Sequence, residues 1–251
     1  MERLARSELL VGPVAMEALH RTRVILFGVG GVGGWCAEAL VRSGVGHLTM
    51  VDPDRVTEID INRQIEATPD AVGCLKVEAL ATRLRAIAPD AEIRADPRPF
   101  CPTTRDSFRF SDHDYVLDAI DSLSPKLHLI MDALAAGVRL YSSMGAASRL
   151  DPTRVRTGSI WESSGCPLAR RIRRRLRRHG VDGDFQVVYS DELLLNHGQP
   201  PGDRHVVGSM VTVTATFGMC LASLVINDVI TRAGAYPARR FIKGGADDLE
   251  D

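Results

Sequence analysis

The sequence predicts an α/β fold: a doubly wound, mainly parallel sheet with helices on both faces and a C-terminal extension. Three observations carry that prediction. Short apolar runs at 23–28, 46–51, 91–95, 114–119 and 138–142 alternate with helix-like patterns at 32–43, 73–88 and 124–136. Such alternation arises when helices cross back over a parallel sheet and cover it. The first apolar run passes directly into a glycine-rich turn, "FGVGGVGG" (27–34), and the second ends in an acidic residue, Asp52.

The pattern at 73–88 shows how the helices are read. Val77, Leu80, Ala81, Leu84 and Ile87 recur at three- and four-residue spacing, Glu78, Arg83 and Arg85 fall between them, and Pro89 closes the helix. Beyond residue 150 turn formers and basic residues become more frequent, which is read as a crossover, a basic helix and the C-terminal part of the same domain, to residue 232. Residues 233–251 are expected to be a flexible tail. "GQPPGDRH" (198–205) is expected to be an exposed loop, since Pro-Pro and Gly-Asp continue neither helix nor strand. "VVGSMVTVTATFGMCLASLVI" (206–226) carries no charge, but its threonines, serines and glycines dilute its apolar content. A buried strand-to-helix unit is expected there, not a stable membrane span.

A chain of 251 residues, 45% hydrophobic and 25% charged, has ordinary globular composition. Its formal net charge of -1 hides an uneven distribution: seven arginines fall between Arg170 and Arg178, and "DDLED" ends the chain. Any nucleic-acid surface is therefore local. The five cysteines, Cys36, Cys74, Cys101, Cys166 and Cys220, are scattered and form no CxxC pair, which argues against a thiolate zinc site and for a reducing compartment. "MERLARSELLVG" has no apolar signal core, so a cytoplasmic location is expected.

Gly28, Gly30 and Gly33 fit GxGxxG between a strand and a helix, the setting in which backbone amides and the helix dipole hold phosphates. Asp52, 19 residues past Gly33, suits a ribose hydroxyl. A dehydrogenase of the Rossmann kind neutralises its pyrophosphate largely with helix-terminal amides. Here "DINRQI" (60–65) follows the ribose acid, and Lys76 lies near the start of the next helix. Two fixed cations, Arg63 and Lys76, point to a triphosphate. "YVLDAIDS" (115–122) ends a strand with Asp118 and Asp121, and a carboxylate at that edge of a sheet can hold magnesium against phosphate.

In order and spacing, "GVGGVGGW", "VDPDRVTEIDINRQI", "VGCLKVEA" and "VLDAIDS" resemble the adenylating domain of the ubiquitin-activating superfamily, which includes molybdopterin- and thiamine-pathway enzymes. The resemblance spans residues 6–150 and implies that residues 1–150 form a Rossmann-like, ATP-binding adenylating region. It implies that Asp52 binds ribose, that Arg63, Gln64 and Lys76 contact phosphates, and that Asp121 binds Mg2+. Gly31, Asp54 and Asn62 lie in the same motifs and complete the candidate nucleotide set. It further implies a homodimer in which an arginine of one subunit's N-terminus serves the partner's site; "ARSELLVG" (5–12) nominates Arg6. One position departs from the pattern. Asp60 stands where the family usually has asparagine, and a carboxylate beside a triphosphate is repulsive unless magnesium or an arginine offsets it.

"SSMGAASRLDPTRVR" (142–156), "CPLARRIRRRLRR" (166–178), "VVYSDE" (187–192) and "GSMVTVTATFG" (208–218) resemble the tRNA threonylcarbamoyladenosine dehydratases of that superfamily. That resemblance implies ATP-dependent adenylation of the threonyl carboxylate, then ring closure by the neighbouring carbamoyl group with loss of AMP, a reaction needing no enzyme nucleophile. Leu168, Ile172 and Leu176 form a narrow apolar stripe that docks the basic helix. Arg170, Arg171, Arg173, Arg174, Arg175, Arg177 and Arg178 are left as candidate tRNA contacts, facing largely outward. The alternative is an adenylyltransferase activating a small ubiquitin-like sulfur carrier, and a sulfur-relay protein is a candidate partner. A redox or purely RNA-binding reading leaves Arg63, Lys76 and Asp121 unexplained.

Overall fold

A computed structural model describes residues 2–195 and 207–235. The loop expected at 198–205, and residues 236–251 of the expected tail, lie outside that range. Seven strands, β1 (Arg23–Phe27), β2 (His47–Val51), β3 (Glu92–Asp96), β4 (Tyr115–Asp118), β5 (Arg139–Ser143), β6 (Val155–Ser159) and β7 (Gln186–Ser190), form one sheet in the order β3-β2-β1-β4-β5-β7-β6. Every pairing is parallel except β6 with β7. The chain reverses its winding between β1 and β4. The crevice outside the carboxyl ends of those two strands is where such sheets bind ligands.

Helices cover both faces, as the alternation predicts. On one face α2 (Pro13–Arg21), α3 (Gly33–Arg42), α4 (Lys76–Ile87) and α7 (Val211–Arg232) enclose a core that includes Leu19, Leu26, Leu40, Leu80, Phe217 and Leu221. On the other, α5 (Leu123–Ala135) and α6 (Pro167–Arg178) share a core with the segment between β3 and β4. There Phe100, Phe108 and Phe110 pack around Phe27 with ring centroids 5.2 to 6.0 Å from it.

The N-terminal segment folds as two short helices, α1 (Ala5–Val11) and α2, in addition to the helices expected from the sequence. Gly12, at φ +83°, breaks them apart, and Pro13 starts the second with its ring φ already helical. The uncharged stretch behaves differently from the strand-to-helix unit expected of it. Residues 207–210 form no strand and the helix begins at Val211, although Val211, Val213 and three threonines favour strand locally. Packing overrides propensity here. Val213, Phe217, Leu221 and Val225 are buried, and a Cβ on Gly218 would lie 2.5 Å from the Val32 carbonyl oxygen, so α7 and α3 meet backbone to backbone. By length and composition alone α7 is long and apolar enough to cross a membrane, but half of its most apolar window is buried inside the protein.

Candidate nucleotide site and arginine groove

The turn after β1 is shaped by what its glycines omit. Gly28 sits at φ +85°, its amide donating to the Val51 carbonyl at 2.8 Å, and a Cβ there would meet the Ala119 carbonyl oxygen at 2.8 Å. A Cβ on Gly33 would lie 1.8 Å from the Gly28 carbonyl oxygen, so only glycine lets α3 start this close to the strand end. Gly30 and Gly31 face Gln64 and Arg63 across the turn. Buried Asp52 braces it from β2, accepting from the Val29 amide at 2.8 Å and the Asp54 amide at 2.9 Å. Burial pushes its carboxyl up, against the pull of those two amides and of Lys76. Each oxygen keeps acceptor capacity for a ribose hydroxyl. A glycine cradle, a braced acid and the amides of the first turn of α3 fit the phosphates and ribose of a nucleotide.

The cations sit on the rim. Lys76 opens α4 with its side chain only 9% exposed, Nζ 3.4 Å from Asp54 Oδ2 and 4.0 Å from Asp60 Oδ2. Arg63 Nη1 donates to the Ile59 carbonyl at 2.8 Å and to Asn62 Oδ1 at 2.9 Å, which fixes its guanidinium beside the turn. Asn62 in turn donates to the Ser209 carbonyl at 3.1 Å, joining this loop to the segment before α7.

Asp60, the departure from the family pattern, is offset by its neighbours. Its Oδ2 accepts from the Thr57 amide at 3.0 Å and hydroxyl at 2.7 Å. Its Oδ1 accepts from Gln64 Nε2 at 2.7 Å, with Arg63 Nη2 at 3.3 Å. The carboxylate is buried and organises the loop that carries Arg63 and Gln64. With Gln64's nitrogen engaged, the atom it leaves without a partner is the acceptor Oε1.

Two acids at the end of β4 separate into different roles. Asp118 is fully buried, 2.7 Å from Lys126 Nζ, and also accepts from Ser142 Oγ at 2.5 Å and the Ile120 amide at 3.0 Å. It is a structural anchor with no face toward solvent. Asp121 is exposed at the carboxyl edge, and among the described residues nothing hydrogen-bonds or ion-pairs its carboxylate. An unencumbered oxygen donor of this kind suits magnesium, which commonly takes one or two carboxylates and fills its octahedron with phosphates and water. No cluster of three candidate metal-binding side chains occurs among the described residues.

The basic helix α6 starts at the same edge of the sheet. A Cβ on Gly145, just beyond β5, would lie 3.6 Å from Cys166 Sγ at its N-cap. Ala169, Ile172 and Leu176 dock the helix, so the buried stripe runs through Ala169 while Leu168 is only half-buried. Arg170, Arg173, Arg174, Arg177 and Arg178 line one groove of about 490 Å3, while Arg171 and Arg175 are exposed outside it. One of the seven turns inward. Arg173 Nη1 donates to Ser163 Oγ at 2.5 Å and to the carbonyls of Ser163 (2.8 Å) and Ile160 (3.2 Å), and burial holds its pKa down. Arg177 stacks over Trp161 at 5.1 Å.

Comparison with known proteins places this geometry. The model of the ThiF family matches residues 3–243, nearly the whole chain. The chain belongs to the ThiF family. This ThiF-family chain is 38% identical to the Bacillus subtilis tRNA threonylcarbamoyladenosine dehydratase over 192 residues, 76% of each chain. It superposes with a TM-score of 0.85 on a crystal structure of the Escherichia coli tRNA N6-threonylcarbamoyladenosine dehydratase in complex with ATP, at 32% identity, covering 93% of this chain and 96% of that one. Similarity to the E. coli molybdopterin-synthase adenylyltransferase is lower, 28% over 213 residues.

The N-terminal arginine of this ThiF-family chain lies far from its own glycine turn. Leu4 packs against Gly44 just past the C-terminus of α3, and Arg3 pairs with Asp90 at 2.6 Å beyond α4. Both contacts put exposed Arg6 at the amino edge of the sheet, while the turn lies at the other end of α3, about 15 Å away for ten residues. Several residues around the ThiF-family site are not evident from the sequence motifs. Lys126 does leave a signal: it falls between Leu123 and Ile130 on the apolar face of α5, where a cation needs a buried partner. Arg149 donates to the carbonyls of Gly145 and Ser190 and knits the loops after β5 and β7. Glu66, buried under the glycine turn, has no sequence signature at all.

Proposed function

We propose that this chain is an ATP-dependent dehydratase acting on threonylcarbamoyladenosine beside the anticodon of tRNA. The observation that carries the reading is the shared edge: the glycine cradle with Arg63 and Lys76 and the start of the arginine-lined helix both lie at the carboxyl ends of the strands. A helix of twelve residues extends about 18 Å from there. An anticodon stem can run along α6 while its loop reaches the nucleotide.

The threonyl carboxylate attacks the α-phosphorus of ATP, forming a P–O bond as the bond to the β-phosphate oxygen breaks and pyrophosphate leaves. The carbamoyl group of the same nucleotide then attacks the acyl carbon, the acyl–oxygen bond to AMP breaks, and one proton is lost as the ring closes. Both partners of the second step sit in one molecule, so proximity replaces an enzyme nucleophile. The protein's task is alignment and charge. Lys76 and Arg63 offset the phosphates, the α3 amides hold them, and Asp52 fixes the ribose. Asp121 is the residue to hold magnesium, which neutralises phosphate charge when bound.

The same reading makes the protein a homodimer. Leu9 is 89% and Leu10 72% exposed on α1, apolar surface that a second subunit would cover. Because Arg6 lies at the far end of α3 from its own cradle, it is assigned to the partner's triphosphate. Cytoplasmic action on tRNA agrees with the free cysteines and with the buried share of α7. Incubating the protein with ATP and threonylcarbamoyl-modified tRNA, then analysing nucleosides by mass spectrometry, tests the activity. A nucleoside lighter by one water supports it, and unchanged modified nucleoside with full ATP present rejects it.

A further inference from the structure

Glu66 lies beneath the nucleotide turn in an unusual state. It is 4% exposed, and neither carboxyl oxygen has a hydrogen-bond partner. Its Oε2 sits 2.7 Å from where a Cβ on Gly34 would be, so the carboxyl presses against the first turn of α3 beside the Val29 carbonyl. The charged groups facing it come from three elements: Lys76 from α4, Asp52 from the end of β2 and Asp60 from its own loop. Lys76 is already opposed by Asp54 and Asp60.

The charges around the cradle decide what Glu66 can be. Arg63 and Lys76 face Asp52, Asp54 and Asp60, so acids already outnumber cations before any triphosphate arrives. A fourth carboxylate, desolvated and without a donor, would add repulsion just where phosphates bind. We propose that Glu66 is a positioning residue that supports the phosphate-binding turn as a neutral acid, and that ATP binding is coupled to uptake of a proton by its carboxyl. Burial pushes this carboxyl up to about 8, with Asp52 and Asp60 adding to the effect and Lys76 opposing it. The folded protein therefore holds Glu66 largely protonated at neutral pH and largely ionised above pH 9. Triphosphate charge nearby favours the proton further, which is the coupling.

The inference rests on reading this pocket as the ATP site, and the test separates the two. Isothermal titration of ATP into the full chain, in two buffers of different ionisation enthalpy, counts protons taken up on binding. At pH 8 the wild type should take up roughly half a proton more than Glu66→Gln, and the difference should shrink at pH 6.5. Wild-type affinity should fall about tenfold from pH 7 to pH 9, while Glu66→Gln, which stays neutral, should bind with a flat profile over that range. Glu66→Met serves if the glutamine variant fails to fold, and should show the same flat profile. ATP binding by the wild type with no proton uptake at pH 8, or uptake that persists in the variants, overturns the role of Glu66 alone. Absence of ATP binding at every pH overturns the pocket reading and this inference with it.

Discussion

Lys126 Nζ lies 2.7 Å from Asp118 Oδ2 with both side chains fully buried, and Lys126 also donates to the Ile120 carbonyl at 2.7 Å. The pair locks the first turn of α5 to the end of β4, which sets where Asp121 emerges. Removing the cation leaves a desolvated carboxylate, so Lys126→Met should destabilise the fold by about 3–5 kcal/mol. Chemical denaturation measures it; a loss below about 1 kcal/mol would show that the pair is not the anchor described.

Asp60 is held by Thr57, Gln64 and Arg63, so its role is organisational and its charge is incidental to it. Asp60→Asn keeps an acceptor for the Thr57 amide and removes one acid from beside Lys76. ATP should bind at least as tightly. Asp60→Ala, which also removes the acceptor of the Thr57 amide and hydroxyl, should cost about 1 kcal/mol of stability and weaken ATP binding. Calorimetry with both variants checks the pair; weaker binding by the asparagine variant would make the negative charge itself necessary.

Arg6 and the glycine cradle sit at opposite ends of α3. Arg6→Ala and Asp121→Ala, each inactive alone, should therefore recover up to about a quarter of wild-type activity when mixed and exchanged, because one dimer in two is mixed and carries one intact site. Mixed dimers demonstrated by tagged pull-down yet lacking activity would place Arg6 in its own subunit's site.

Arg170, Arg174 and Arg178 line the groove, whereas Arg173 is spent on Ser163 and Ile160. Replacing the first three by glutamine should flatten the dependence of log affinity for tRNA on log salt by about 0.9 per lost duplex contact, up to about 2.7, with ATP binding intact. Arg173→Gln should instead lower the melting temperature. An unchanged slope in the triple variant would move the RNA surface off α6.

Much of this was legible in the sequence because it follows from periodicity and short spacing. The first five strands and the helices at 33–42, 76–87 and 123–135 show as alternation, and Gly28, Gly33 and Asp52 occupy a turn whose geometry admits few other residues. Residues 73–75 read as helix by pattern, but Gly73 at φ +89° and the bridge of Arg55 with Leu75 hold them out of it. β6 and β7 were hidden because "VRTGS", the edge strand, and "QVVYS", its neighbour, are only partly apolar. The ambiguity of Asp60 could not be resolved along the chain, since Lys76, which helps offset it, is sixteen residues away. Glu66 is the extreme case: its meaning lies wholly in burial and in the groups that surround it.

The most direct test of the central claim counts products in one reaction. With modified tRNA limiting and ATP in excess, one AMP and one pyrophosphate should appear for each cyclic nucleoside formed, and Lys76→Ala should lose both products while keeping its fold. AMP released without any cyclic nucleoside, and cyclisation appearing only when a small carrier protein is supplied, would contradict the account and make this a carrier-activating enzyme.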